Sequence, residues 1–221
     1  VPHAANGECG RGERVERVSV ETHVANKAFR AFLLGIEDVL GQHGVAAVLY
    51  RANLPQYVGN YPPSTMERGG HSIRYFSQIA QALYDIYGAR GSRAIMQRVG
   101  RSQAEIGLQE NAALVALARL GMKLLPLRQQ VKLALEAAAK AINEQIGSEA
   151  EIVEEGEFLY YQARNCSYCL DWKSDVPVCF AVVGFLHRLL QNITGGTEKI
   201  EEVMCRAKGD TVCRYRITLN H

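Results

Sequence analysis

The sequence lacks an excess of charge of one sign, a long apolar run and a secretory leader. Its 221 residues carry 25 basic and 23 acidic side chains, which leaves a formal net charge of +2. A strong basic excess is typical of proteins that bind nucleic acid, so direct nucleic-acid binding is not indicated. No apolar run approaches the roughly 18 residues of a membrane-spanning helix. Together with the missing leader, this composition predicts a cytoplasmic protein without a membrane span.

The sequence also lacks the short motifs of common nucleotide-dependent and hydrolytic enzymes. Gly88-Ala-Arg-Gly91 has neither the third glycine nor the preceding strand of a dinucleotide-binding fingerprint. No phosphate-binding loop, nucleophile elbow or paired-histidine zinc motif occurs. These absences favour a binding protein over an enzyme, although they leave enzymatic activity open.

Cysteine is nearly absent from the first 165 residues, which contain only Cys9. This residue lies in a polar, glycine-rich start, and we expect residues 1–20 to form a flexible arm. The other five cysteines fall within the last 56 residues: Cys166, Cys169, Cys179, Cys205 and Cys213. Disulfides, buried inert thiols and a metal site are all compatible with this cluster. In an intracellular protein of this size, clustering favours a metal site over disulfides.

The first two-thirds of the chain show mainly helical periodicity. Apolar residues at helical spacing predict helices over residues 24–43, 73–87, 92–99, 102–120 and 126–147. Gly100 is predicted to end the third of these, because glycine commonly follows the last turn of a helix. Ser102 and Glu105 have the spacing of a capping box and predict the start of the fourth. A short buried strand is predicted at 46–50, and the proline-rich segment 54–70 is predicted to be a loop.

The period changes in the last third of the chain. Alternation over 157–162 predicts a strand, and a helix is predicted over 174–190. Two further strands, 200–204 and 212–219, surround Lys208-Gly209-Asp210, which is typical of a hairpin. The predicted class is therefore α+β, with a helical N-terminal two-thirds packed on a small antiparallel sheet. Residues 21–221 are predicted to form a single domain.

The loop of this hairpin determines whether two cysteines can share a metal. If the loop consists of residues 208–210, Cys205 faces Cys213 at a Cβ separation of about 5 Å. A two-residue turn would place them on opposite faces. Glu202 could add a carboxylate oxygen, but only if the strand has a bulge or bend near Val203.

Cys179 follows Pro177 at the start of a predicted helix. The helix macrodipole and the unpaired amides there favour the thiolate, which is the form that binds metal.

These spacings resemble the signature of the 4-vinyl reductase domain family. The matching residues are Pro177-Val-Cys179-Phe and Glu202-Val-Met-Cys205-Arg-Ala-Lys-Gly-Asp-Thr-Val-Cys213-Arg-Tyr-Arg-Ile, within a signature segment of 150–221. The family includes predicted hydrocarbon-binding proteins, a bacteriochlorophyll-pathway member and sensor domains of phenol-responsive activators. The resemblance implies a ligand-binding fold shared with vesicle-tethering trafficking subunits. It also implies an apolar pocket beside one Zn²⁺, whose ligands would be Cys179, Glu202, Cys205 and Cys213.

The pair Cys166-Ser-Tyr-Cys169 departs from the sensor branch of that family, so five thiols compete for four positions. One of the pair could replace Glu202 as a ligand, or both could stay outside the metal shell. Four protein ligands leave no open position for water, so we expect the zinc to be structural.

Aromatic residues are the candidates for the apolar pocket. We expect a cavity of several hundred Å³ between the helices and the sheet, the usual size of a small-molecule site. The residues predicted to line it are Phe158, Tyr160, Tyr75 and Trp172, with Trp172 or His71 near its mouth. Arg90 and Arg93 belong to a basic cluster suited to an anionic group or to solvent.

The sequence leaves three functions open. The favoured one is a zinc-stabilised sensor or carrier for a small apolar molecule. The second is an enzyme or accessory protein of (bacterio)chlorophyll or tetrapyrrole metabolism. The third is a dimeric protein-interaction module, since the resemblance to trafficking subunits implies a homodimer formed through helices.

Overall fold

The computed structural model of the protein describes residues 22–196 and 198–219. The predicted arm 1–20, with Cys9, lies outside these residues. The described elements are α1 (Asn26–Arg51), α2 (Arg74–Glu110), α3 (Ala112–Met122), α4 (Leu127–Ile146), β1 (Ala150–Glu155), β2 (Phe158–Ala163), α5 (Phe180–Thr194), β3 (Lys199–Met204) and β4 (Cys213–Thr218). The strands form an antiparallel sheet in the order β1-β2-β4-β3. The predicted α+β class, with helices followed by a small antiparallel sheet, is confirmed.

The core lies between α1, α2 and the inner face of the sheet. In α1, Phe29 and Phe32 are fully buried, and the ring of Phe32 stacks on Phe76 of α2 at a centroid distance of 4.8 Å. In β2 the alternation of the sequence places Leu159 and Tyr161 on the buried face. Helix α4 covers β1, and α5 contacts both α2 and β3. Helix α5 is thereby held between α2 and the edge strand β3.

The helices α2 and α5 cross at two glycines. A Cβ atom at Gly184 would lie 2.0 Å from the carbonyl oxygen of Gln97, and one at Gly100 would lie 1.9 Å from that of Ala181. Each backbone therefore fills the space that the other helix's side chain would need. The prediction that Gly100 ends a helix is wrong. Gly100 lies within a continuous segment of α2, where it allows this close contact with α5.

Two elements predicted for the helical part of the chain are wrong. Residues 46–50 belong to α1 and not to a strand, since Val45, Val48 and Leu49 are buried at helical spacing. A short apolar run cannot distinguish the two structures. Ser102 lies inside α2 and begins no helix, so its capping-box spacing with Glu105 is coincidental. The real interruptions are Gly41 and Gly88, which have φ values of +71° and +67°.

The strand β1 has no counterpart among the elements predicted from the sequence. Its residues Ala150–Glu155 include three glutamates and show no clean alternation of burial, because β1 lies at an edge of the sheet. The predicted helix 174–190 corresponds to α5, which begins six residues later. Residues 172–178, which precede α5, form neither a helix nor a strand.

Within the described residues, α1 is the one helix long and apolar enough to cross a membrane by length and composition. Its apolar residues Phe29, Leu33 and Ile36 are fully buried in the protein, and Gly41 interrupts its helical geometry. A buried core helix commonly passes the same test, so the core explains this composition.

Candidate metal centre and adjoining groove

Four separate segments bring five thiols together near the ends of β2 and β3 and the start of β4. Cys166 and Cys169 flank a short 3₁₀ turn after β2, Cys179 precedes α5, Cys205 follows β3, and Cys213 begins β4. All five are buried, and none forms a disulfide. Four cysteines thus lie within metal-binding distance of one another, the ligand atoms being no more than 4.8 Å apart: Cys166, Cys169, Cys179 and Cys213.

A second set of four possible ligands shares two of these thiols. It consists of Cys179, Glu202, Cys205 and Cys213, again within 4.8 Å of one another. The Sγ of Cys179 lies 3.9 Å from the Sγ atoms of both Cys205 and Cys213. Zinc–sulfur bonds of about 2.3 Å in a tetrahedron give sulfur–sulfur edges of about 3.8 Å, so these separations fit a zinc ion.

Glu202 reaches the cluster because β3 contains the bulge that the sequence required. Glu202 pairs with Tyr215 and Met204 pairs with Arg214, which leaves Val203 as the extra residue. The Oε2 atom accepts a hydrogen bond from the backbone N–H of Cys179 at 3.0 Å. The Oε1 atom is buried and has no hydrogen-bond partner.

The burial of Glu202 also changes the pKa of its carboxyl group. Burial, followed by the nearby Cys205, raises the pKa of Glu202 to about 10. A carboxyl group in such surroundings needs a cation to remain charged. The residues therefore fit a metal ion, which would supply the missing partner of Oε1.

The connection between β3 and β4 differs from the predicted three-residue loop. β3 ends at Met204 and β4 begins at Cys213, with a 3₁₀ turn over Arg206–Lys208 between them. Cys205 lies close to Cys213 even though the pairing between β3 and β4 does not continue through this turn. The backbone N–H of Arg206 points at the Sγ of Cys213 at 3.4 Å, a contact that favours thiolate. Asp210 fixes the turn by accepting the Cys205 N–H at 2.7 Å.

The clustered thiols perturb one another's protonation. Hydrogen bonds from Cys169 and other thiols hold the pKa of Cys205 below its usual range. The pKa of Cys166 is likewise lowered, first by Cys169. Burial raises the pKa of Cys179, and Cys166 raises that of Cys213. Some thiols therefore donate to others, as expected where several anionic sulfurs cannot coexist without a cation.

A groove of about 490 Å³ adjoins the cluster between α2, the segment before α5, and β3. Its lining is largely apolar and includes Tyr84, Met96, Trp172, Val178, Phe180 and Val183. The Tyr84 and Trp172 rings meet edge to face at 5.7 Å. Arg90 and Arg93 line one side, and the Arg93 guanidinium lies 4.9 Å from the centre of the Phe180 ring. Glu202 lies in the wall of the groove and also in the ligand cluster.

The structure does not bring the four predicted ligand-binding residues together. Trp172 lines the groove, whereas Tyr75 packs 5.7 Å from Phe29 at the other end of the helical core. Phe158 and Tyr160 lie on the outer face of the sheet, where the guanidinium groups of β4 cover their rings. Arg214 lies 3.9 Å from the centre of the Tyr160 ring, and Arg216 lies 5.3 Å from that of Phe158.

Alternation in β2 places Phe158 and Tyr160 on the face opposite Leu159 and Tyr161, but it does not say which face meets the helices. His71 also lies away from the groove. Its Nδ1 is 2.7 Å from the Tyr57 hydroxyl group, and burial lowers the pKa of the imidazole.

A larger surface cleft of about 790 Å³ lies on the other side of Trp172. Its walls are mostly charged or polar, with Asp171, Lys173, Arg206 and Asp210 among them. A cleft of this kind holds water more readily than an apolar molecule. The groove beside Glu202 is therefore the stronger candidate site.

Comparison with solved structures identifies the same fold in H-NOX domains. An Fe(II) unliganded H-NOX protein from K. algicida aligns with a TM-score of 0.56 at 15% identity, covering 89% of this chain and 97% of that one. An H-NOX protein from S. oneidensis in the Fe(II)NO ligation state aligns with a TM-score of 0.53 at 13% identity, covering 87% of this chain and 99% of that one. A structure whose subject is haem redox potential and porphyrin distortion aligns with a TM-score of 0.52 at 12% identity, covering 88% of this chain and 99% of that one. At these identities the similarity shows the fold alone.

Sequence comparison places the ligand cluster in a known domain. An uncharacterized protein of Methanocaldococcus jannaschii is 27% identical over 59 residues, or 27% of this chain. This chain covers 33% of the length of that relative. The family model of the 4-vinyl reductase domain matches residues 159–219, which include all five clustered cysteines and Glu202. The resemblance predicted from the sequence is therefore confirmed over residues 159–219, which match the model of the 4-vinyl reductase domain.

Proposed function

We propose that the protein is a zinc-stabilised domain that binds a small apolar molecule and acts as its sensor or carrier. One observation carries this proposal: Glu202 belongs to the ligand cluster, its buried Oε1 has no hydrogen-bond partner, and the same residue lines the groove. A molecule in the groove would therefore contact a residue that holds the metal. The match to the 4-vinyl reductase domain supports a small-molecule-binding domain, and the same fold occurs in an H-NOX protein that was solved in its Fe(II)NO ligation state.

The proposed zinc is held by Cys179, Glu202, Cys205 and Cys213. The ion would supply positive charge that keeps buried thiolates ionised, and it would link α5 to the β3–β4 hairpin. Four protein ligands complete a tetrahedron, which assigns the ion a structural role. The chain's own residues orient the site: the Cys179 N–H positions the carboxylate, and the Arg206 N–H contacts Cys213.

The groove fits a small aromatic or branched apolar molecule. Tyr84, Trp172 and Phe180 offer ring faces and edges, while Met96 adapts its flexible side chain to different shapes. Arg90 provides a charged group at the side of the groove, suited to an acceptor atom on an otherwise apolar molecule.

Filling the groove should abolish binding. We expect small aromatic or isoprenoid compounds to raise the melting temperature of the parent protein with increasing concentration, as required when a ligand binds only the folded state. Val183→Trp places an indole in the groove and should eliminate the shift. Phe158→Trp is the matched control, because Phe158 lies on the outer face of the sheet and outside the groove. Equal shifts in all three proteins, or no shift with any compound, would contradict the proposed ligand site.

The groove does not fit haem held by histidine, the proximal ligand of many haem proteins. No histidine is among the described residues that line it, and the Nδ1 of His71 is engaged with Tyr57 elsewhere in the core. No haem chemistry is therefore assigned to the groove.

A second candidate function is homodimerisation through α3. None of the residues of α3 is buried, and Leu114, Leu117 and Leu120 expose about two-thirds of their surface on one side of the helix. We expect sedimentation to show a dimer at micromolar concentration and Leu117→Glu to give a monomer. Leu117→Gln, which is polar but uncharged, should weaken the dimer less. A parent protein that sediments as a monomer would exclude this candidate.

A further inference from the structure

The cluster contains more metal-binding groups than one zinc ion needs. The two sets of possible ligands overlap at Cys179 and Cys213, and together they comprise five thiols and one carboxylate. With the proposed zinc in place, Cys166 and Cys169 would remain as buried thiols directly beside it. We propose that the protein holds two Zn²⁺ ions, with Cys179 and Cys213 bridging them and Cys166 and Cys169 completing the second site. This inference rests on the proposed zinc site and extends it.

Two tetrahedra that share one edge need six donors, of which two bridge and four are terminal. The described cluster supplies this number, with Glu202 and Cys205 as terminal groups on one side and Cys166 and Cys169 on the other. The shared edge would be the 3.9 Å separation between the Sγ atoms of Cys179 and Cys213.

The second set is already as compact as a coordination shell. The Sγ of Cys166 lies 3.4 Å from that of Cys179, and the Sγ of Cys169 lies 3.4 Å from that of Cys213. These separations are slightly shorter than the about 3.8 Å edge of a zinc–thiolate tetrahedron. Each terminal thiol also lies within 4.8 Å of both proposed bridging thiols, as an edge-shared pair of sites requires.

Charge also permits the second ion. One Zn²⁺ on three thiolates and a carboxylate leaves two negative charges, with Cys166 and Cys169 protonated. Two Zn²⁺ on five thiolates and a carboxylate leave the same two negative charges. The second ion replaces two thiol protons and adds no net charge to a buried site, so it avoids the large cost of burying an uncompensated charge.

The turn that carries Cys166 and Cys169 is held in place by packing that is independent of any metal. Tyr168, between the two cysteines, is buried against Phe32 and Phe76 at ring distances of 5.5 and 5.6 Å. Its hydroxyl group donates a hydrogen bond to the Gln103 side chain at 2.8 Å. The second pair of thiols is therefore presented by the helical core, and a second ion would bind to a largely preformed site.

The number of ions per chain tests this proposal directly. Protein purified without oxygen, in a Cys9→Ser background that leaves the five clustered thiols, should contain two zinc ions per chain by elemental analysis. One ion per chain would overturn the two-ion site and leave the proposed zinc domain intact. No stoichiometric ion would overturn both. Iron with acid-labile sulfide in place of zinc would also overturn both.

Cobalt substitution tests whether the ions share thiolates. The first equivalent of Co²⁺ added to the metal-free protein should give a high-spin electron paramagnetic resonance signal. The second equivalent should abolish most of that signal, since bridging thiolates couple the two spins. The double variant Cys166→Ser/Cys169→Ser should bind one Co²⁺ and keep its signal. If the double variant does not fold, the titration of the parent protein decides, and a signal that doubles with the second equivalent overturns the bridged arrangement.

Discussion

Replacing Cys205 by serine will unfold the protein under conditions in which the parent is fully folded. Structural zinc contributes about 10 kcal/mol or more to the folding of small zinc domains, whereas whole domains of this size are stable by about 5 to 15 kcal/mol. Cys205 is fully buried and ties the β3–β4 connection to the start of α5. A serine hydroxyl group binds zinc poorly, so the loss of one ligand should release the proposed ion and expose the hairpin.

Circular dichroism during thermal unfolding and a colorimetric assay of released zinc measure this effect. Cys9→Ser, a thiol outside the described cluster, serves as the matched control and should melt with the parent. Chelator treatment of the parent should reproduce the behaviour of Cys205→Ser. A Cys205→Ser variant that melts with the parent would show that this thiol is inert and would refute the proposed zinc ligation.

A methyl group at Gly184 is expected to destabilise the protein by about 3 kcal/mol, at the upper end of the cost of overpacking. The Cβ of Gly184→Ala would lie 2.0 Å from the carbonyl oxygen of Gln97. Both atoms belong to rigid helix backbones, so the clash can be relieved only by separating α2 from α5. Because both helices line the groove, we also expect weaker ligand binding.

Gly107→Ala is the matched control for this substitution. Gly107 lies on the same helix α2, and a Cβ there would meet no atom within 4 Å. Alanine is the better helix former by about 0.5 to 1 kcal/mol, so this variant should be slightly more stable than the parent. Urea unfolding with a common m-value measures both changes. If Gly184→Ala unfolds at the same urea concentration as the parent, the close crossing of the helices is not present in solution.

The sequence predicts the parts of the structure that depend on local pattern and on spacing. Helical periodicity indicates the helical N-terminal part, and alternation indicates β2 with its two faces. The spacing of Glu202 and Cys205 requires a bulge at Val203, which β3 contains. These features follow from the geometry of single elements and of adjacent strands, so a single sequence contains enough information to derive them.

The features that the sequence could not predict depend on contacts between distant elements. Local pattern alone indicates a helix end at Gly100. The contact that explains this glycine is with the Ala181 carbonyl group, which is distant in the chain. The outward position of Phe158 and Tyr160 depends on which face of β2 meets the helices. The groove needs residues of α2, α5 and β3 to converge, and no local pattern marks that convergence.

The dispersal of the metal-binding groups over four chain segments has a consequence for biosynthesis. A chain that has been synthesised past Cys205 but not to Cys213 already contains four of the five clustered thiols, yet it lacks a sulfur common to both ligand sets. Until Cys213 is added, no complete cage exists, and the free thiols are open to oxidation or to incorrect pairing. Acquisition of the proposed metal is therefore confined to the interval after β4 has emerged. In that interval the helices already provide the surface on which the final hairpin closes.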